Sequence, residues 1–163
     1  MKTSALLSRL VCLLLLAVTS AFSQQITVQK DQSSPVVLSA AEIAVLAHTT
    51  VKVNGPEGTA SFSGVPVAKI LEKAGITFGE SLRGKRLASC LLVEAADGYR
   101  VVIALPELDP GFTDKQILLV DKRETHPLDD DDKEGPYRIV IPDEKRMARW
   151  VRQVKTLKIV DVQ

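Results

Sequence analysis

The chain has 163 residues, of which 45% are hydrophobic, 25% charged and only 4% aromatic. That composition excludes a disordered chain and describes one globular domain whose core is mostly Val, Leu, Ile and Ala. With 21 Lys and Arg against 20 Asp and Glu the net charge is +1, which excludes the basic excess of a general nucleic-acid binder and leaves room for a local anion pocket.

Residues 1–23 predict an export signal. Lys2 and Arg9 form a basic start, Leu10 to Val18 is an unbroken apolar run, and Ala21-Phe22-Ser23 is a small-x-small cleavage pattern. The run is well short of the roughly 20 residues a membrane-spanning helix needs, so no stable membrane span is expected. The expected product is one domain over residues 24–163, periplasmic or secreted. Loss of Lys2 and Arg9 takes the basic residues from 21 to 19 against 20 acidic, a net charge of −1. Loss of Cys12 leaves Cys90 alone, so no internal disulfide is expected.

Ile26-Thr27-Val28 and Val36-Val37-Leu38 predict two short strands. Ser39-Ala40-Ala41-Glu42 matches a capping box and predicts a helix to about Ala47. Thr49 to Val53 alternates and predicts a strand, with a turn over 54–58 and a returning strand from Thr59 to Phe62. Pro66 is placed to open a helix whose stripe is Val67, Ile70, Leu71 and Ala74, with Gly75 as its stop. Leu87 to Ala95 and Tyr99 to Leu105 predict a hairpin across a two-residue Asp97-Gly98 turn. One helical turn over 106–108, a strand from Ile117 to Val120, a loop over 121–135, and strands over 137–141 and 154–160 complete the reading. Hairpins dominate, so the fold class is α+β with a mixed, mostly antiparallel sheet and a few short helices.

Catalytic motifs are scarce. His48 and His126 stand apart, no His/Cys cluster has metal-ligand spacing, and no phosphate-cradling glycine loop occurs. Asp129 to Asp132 lacks the ligand alternation of a calcium loop and reads as a solvated charged segment. No catalytic residue and no metal ligand follows from the residues alone.

Four segments in order resemble the molybdopterin-binding domain of the sulfite oxidase family. They are Phe62-Ser63-Gly64-Val65-Pro66-Val67 leading to Leu71-Glu72-Lys73-Ala74-Gly75, and Ala96-Asp97-Gly98-Tyr99 leading to Leu105-Pro106. Then follow Ile117 to Val120 with Pro127-Leu128, and Gly135-Pro136-Tyr137-Arg138-Ile139-Val140-Ile141-Pro142 leading to Arg149-Trp150-Val151. The likeness covers about residues 36–160. It implies a mixed α+β fold around a pterin pocket, with molybdopterin as the cofactor, and an oxidoreductase acting on a small oxoanion or sulfoxide.

Two departures limit what carries over. The family's metal-binding cysteine belongs where Val53 or Asn54 stands, and its histidine before the Gly-x-Pro strand is replaced by Glu134. A missing thiolate removes the protein–metal bond, so whether the chain is an enzyme is left open. The resemblance places Arg138 and Arg149 as phosphate clasps and Tyr99 as a pocket-lining donor. His48 is a further anion donor that equally suits a helix C-terminus. Asp97 reads as a turn former and Trp150 as core. The expected role is binding of a pterin cofactor or another small anionic ligand. The alternative is a non-catalytic periplasmic interaction module with a vestigial pocket and a protein partner. A third reading, with Cys90 as an unorthodox metal ligand, rests only on its being the remaining thiol.

Overall fold

The computed structural model describes residues 24–30, 33–55, 58–124, 126–128 and 133–161. The expected export signal and the acidic run over 129–132 lie outside these residues. Among the described residues, ten strands form two five-stranded sheets.

The first sheet holds β1 (Gln25–Lys30), β2 (Val36–Ser39), β5 (Cys90–Ala95), β6 (Arg100–Ala104) and β10 (Val154–Val160) in the order β2-β1-β10-β5-β6. Only β1 and β10 run parallel, with Thr27 opposite Thr156. Period-two alternation points Ile26, Val28, Leu91, Val93, Leu157 and Ile159 inward, all 4% exposed or less.

The second sheet runs β3 (Thr49–Gly55), β4 (Gly58–Pro66), β7 (Leu118–Arg123). The far edge of β7 is shared by β8 (His126–Pro127) and β9 (Arg138–Val140). Leu118, Leu119 and Val120 are all buried, which is the mark of a strand covered on both faces. Buried residues of both sheets form one core. The α+β class with mixed sheets is what the structure shows.

Two short helices pack on this frame, α1 (Ala40–Ala44) and α2 (Val67–Lys73). Ser39 caps α1 and Glu42 reaches back to the Ser39 amide at 2.9 Å. The helix stops at Ala44 rather than Ala47 because the chain must reach β3, whose Thr49 pairs with Gly64. Pro66 remains in β4 opposite Leu118 and precedes α2 instead of opening it. Gly75 ends α2 at φ +88°, a conformation that favours glycine.

Three further expectations need correction. The Asp97-Gly98 hairpin has a three-residue loop, with the Ala95 amide donating to the Tyr99 carbonyl and Gly98 at φ +87°, the geometry of a type I turn closed by a left-handed residue. Residues 84–88 form a 3-10 turn, so the strand begins at Cys90. Part of the expected 121–135 loop is the end of β7 and all of β8.

Candidate anion-binding cleft

The register of the second sheet assembles the site. Val53 on β3 stands opposite Ala60 on β4, and Phe62 on β4 stands opposite Val51 on one side and Arg123 on the other. Arg138, at the start of β9, pairs with Val120 of β7. The segment after Trp150 runs back along the approach to β9. The Gln153 amide donates to the Glu134 carbonyl, the Ile139 amide to the Val151 carbonyl and the Val154 amide to the Tyr137 carbonyl. These bonds set Trp150 and Arg152 against Glu134 and Arg138.

The result is a cleft of about 180 Å³ lined by Val53, Phe62, Glu134, Trp150 and the guanidiniums of Arg123, Arg138 and Arg152. It is comparable to the space of on the order of ten waters. Among the described lining residues, three cations face one carboxylate. All three guanidiniums converge on a single atom: Glu134 Oε1 lies 2.7 Å from Arg138 Nη1, 3.7 Å from an Nη of Arg123 and 3.9 Å from an Nη of Arg152.

Arg138 is the floor of the cleft. It is 5% exposed and Glu134 is 7% exposed. Its guanidinium carbon sits 5.6 Å from the Phe62 ring centre and 5.4 Å from that of Trp150, within cation–π range of both. The two rings meet edge to face at 5.8 Å, and the Trp150 Nε1–H donates to the Ile141 carbonyl at 3.1 Å. Burial pushes the Arg138 guanidinium below its ordinary pKa, and Glu134 pushes it back. It remains a cation at neutral pH. Its Nε is buried and has no hydrogen-bond partner. A buried donor left unmade costs about 1–3 kcal/mol, so this atom calls for an acceptor.

Of the residues expected to bind a cofactor, Arg138 is in the cleft. Tyr99 stands beside it: it is 49% exposed, its hydroxyl donates to the Ala148 carbonyl at 2.6 Å, and it lines a shallow depression that shares Met147, Trp150 and Arg152 with the cleft. Arg149 lies elsewhere. It is clasped by Glu107 and Glu144, and hydrogen bonds to Glu107 first and Glu144 second hold its pKa above the ordinary value. One 3-10 turn over Met147–Arg149 separates Arg149 from Arg152. His48 is also elsewhere, with Nδ1 2.9 Å from the Leu46 carbonyl oxygen and Nε2 3.0 Å from Asp121 Oδ2. Trp150 is both core, at 5% exposed, and cleft wall.

Sequence reasoning missed Arg123 and Arg152 as cleft residues. No apolar alternation continues past Val120, so Asp121-Lys122-Arg123 carried no local signal for Arg123. Val53, where the resemblance seeks a thiolate, is an aliphatic wall of the cleft. Cys90 lies on β5 between Ala104 and Val160 in the other sheet and does not line the cleft. Among the described residues no three His, Cys, Asp or Glu side chains group as a metal site, and no helix is long and apolar enough to cross a membrane.

No family model and no curated protein matches this chain. Among solved structures it shares a fold with a sulfur-compound dehydrogenase. That structure is the sulfane dehydrogenase SoxCD from Paracoccus pantotrophus, with a TM-score of 0.65 at 16% identity over 85% of this chain. This chain spans 38% of that one, and at this identity the likeness is one of fold.

Proposed function

We propose that this chain is an exported anion-binding domain, distantly related to the molybdopterin-binding domains of the sulfite oxidase family. Its cleft takes an oxyanion: a free one, or the phosphate of a pterin cofactor. The observation that carries this is the convergence of three guanidiniums on one point beside the Phe62 and Trp150 rings, with a buried Arg138 Nε lacking an acceptor. An oxyanion supplies several acceptor oxygens, and arginine meets them with paired donors.

The residues fit the phosphate of a pterin cofactor, and Arg123, Arg138 and Arg152 would hold it. They do not fit the metal. Val53 offers no lone pair and no thiolate lines the cleft, so no step through molybdenum is derived. The fold likeness to a sulfane dehydrogenase and the four-segment resemblance support this ancestry.

Titration calorimetry of the full chain with inorganic phosphate tests the reading. Binding that weakens by about tenfold or more in Arg138→Met is expected, the scale of a lost charge-assisted hydrogen bond. Pterin fluorescence of protein purified from a molybdenum-replete host tests the cofactor arm. A second reading, an interaction module with a vestigial pocket, is favoured by one feature: Glu134 already occupies the focus of the three cations. Absence of anion and pterin binding in the wild-type chain selects it.

A further inference from the structure

The focus of the cleft holds a carboxylate, and a carboxylate at neutral pH only accepts hydrogen bonds. Any ligand oxygen drawn toward the three guanidiniums therefore arrives beside Glu134 Oε1. A fully ionised oxyanion presents only acceptors there, and two acceptors bearing like charge repel. An oxyanion that keeps a proton resolves the conflict: its O–H donates to Glu134 while its other oxygens accept from the surrounding guanidiniums.

We propose that Glu134 makes the cleft select free oxyanions that carry a proton over those that are fully ionised. This deepens the anion-cleft reading and rests on it. Three observations support it. Glu134 is 7% exposed, so water cannot easily screen it from a ligand. Its Oε1 is held at 2.7 Å by Arg138, on a strand buried along its length, so it cannot simply swing away. The Arg138 Nε is buried without a hydrogen-bond partner, in a side chain on the same lining. Sites built around a buried polar group reject analogues that leave it without its partner.

The test compares phosphate, which retains a proton at pH 7, with sulfate, which does not. Titration calorimetry of the full chain at equal ionic strength should show phosphate bound about tenfold or more tightly than sulfate. Glu134→Gln, whose amide can donate to a bare oxygen, should bring the two within about threefold. Equal binding of the two anions to wild type overturns the proposal, as does a preference that Glu134→Gln leaves intact. If Glu134→Gln binds both anions and wild type binds neither, Glu134 is an internal occupant and the selection is overturned while the cleft stands. If neither protein binds either anion, the anion-cleft reading falls as well. Should Glu134→Gln fail to fold, the wild-type chain carries the test with arsenate and selenate. Arsenate retains its proton and must follow phosphate, and selenate must follow sulfate; equal binding of these two overturns the selection.

Discussion

The Glu134–Arg138 pair can be dissected by a double-mutant cycle. Both side chains are nearly out of water, and removing one partner of such a pair typically costs about 3–5 kcal/mol because the other is stranded. Here Arg138→Met should fall near the bottom of that range, about 3 kcal/mol. Arg123 and Arg152 remain within 4 Å of Glu134, and the unpartnered Nε disappears with the guanidinium. Against that relief, two ring contacts at about 0.5–1 kcal/mol each are lost. Glu134→Gln removes the carboxylate that Arg138 donates to at 2.7 Å and should cost about 3 kcal/mol as well. The double variant no longer contains the stranded charge, so it should be more stable than the sum predicts by about 2 kcal/mol. Urea unfolding of the four proteins at pH 7 measures this. A coupling energy below about 0.5 kcal/mol would refute the claim that the two side chains form a desolvated pair.

Other outcomes follow from single sites. A methyl group on Gly64 would stand 2.2 Å from the Leu119 carbonyl oxygen, so Gly64→Ala forces β4 and β7 apart; a loss of at least about 2–3 kcal/mol in urea unfolding is expected, the upper range for overpacking. Asp109 is 3% exposed and accepts from the amides of Gly79 and Gly111 at 2.6 and 2.8 Å; Asp109→Ala strands both donors, and thermal unfolding should show a loss of about 2–4 kcal/mol. Burial works against the Glu107 carboxylate, but hydrogen bonds from Arg149 and Lys115 outweigh it and hold its pKa below the usual value. Its contribution is therefore present above the unfolded pKa of about 4.3 and lost as pH falls through the lower folded value. Melting curves from pH 6 to pH 3 should show wild type losing more stability than Glu107→Gln, and parallel losses would contradict this. If residues 1–23 act as an export signal, as proposed, intact-mass measurement should find a chain starting near Gln24.

What could be read from the residues was local. The Ser39–Glu42 cap, the glycine stop of α2 and the turn at Asp97-Gly98 each depend on side chains within a few positions of one another, and each stands where expected within a residue or three. The cleft depends on distant register. Arg123 meets Phe62 because β4 and β7 pair across some sixty positions with a bulge between Ser63 and Gly64, and nothing in Asp121-Lys122-Arg123 announces a strand. Arg149 and Arg152 are alike in sequence and opposite in fate. The 3-10 turn ending at Arg149 and the left-handed Gln153, at φ +48°, send the first to Glu107 and Glu144 and the second to Glu134. Gly64 was legible only as part of a motif, whereas its physical reason is the backbone of β7 lying against it.

Val53 connects the resemblance to the cleft and can be tested directly. If the cleft keeps the geometry of a cofactor site, the position aligned with the lost thiolate must face the bound ligand. Val53 is 7% exposed and on the lining. Val53→Cys in a Cys90→Ser background places a thiol there at nearly constant volume, a change of less than about 1.5 kcal/mol for a volume-conserving swap. A small maleimide should label it slowly, with the site assigned by peptide mass spectrometry. Phosphate at its own dissociation constant leaves half the sites free, so labelling should slow about twofold, and about tenfold at nine times that concentration. Sulfate at the same concentrations should protect less. Labelling indifferent to phosphate, in a variant that still binds it, would place the anion away from β3 and separate the arginine cleft from the ancestral metal position.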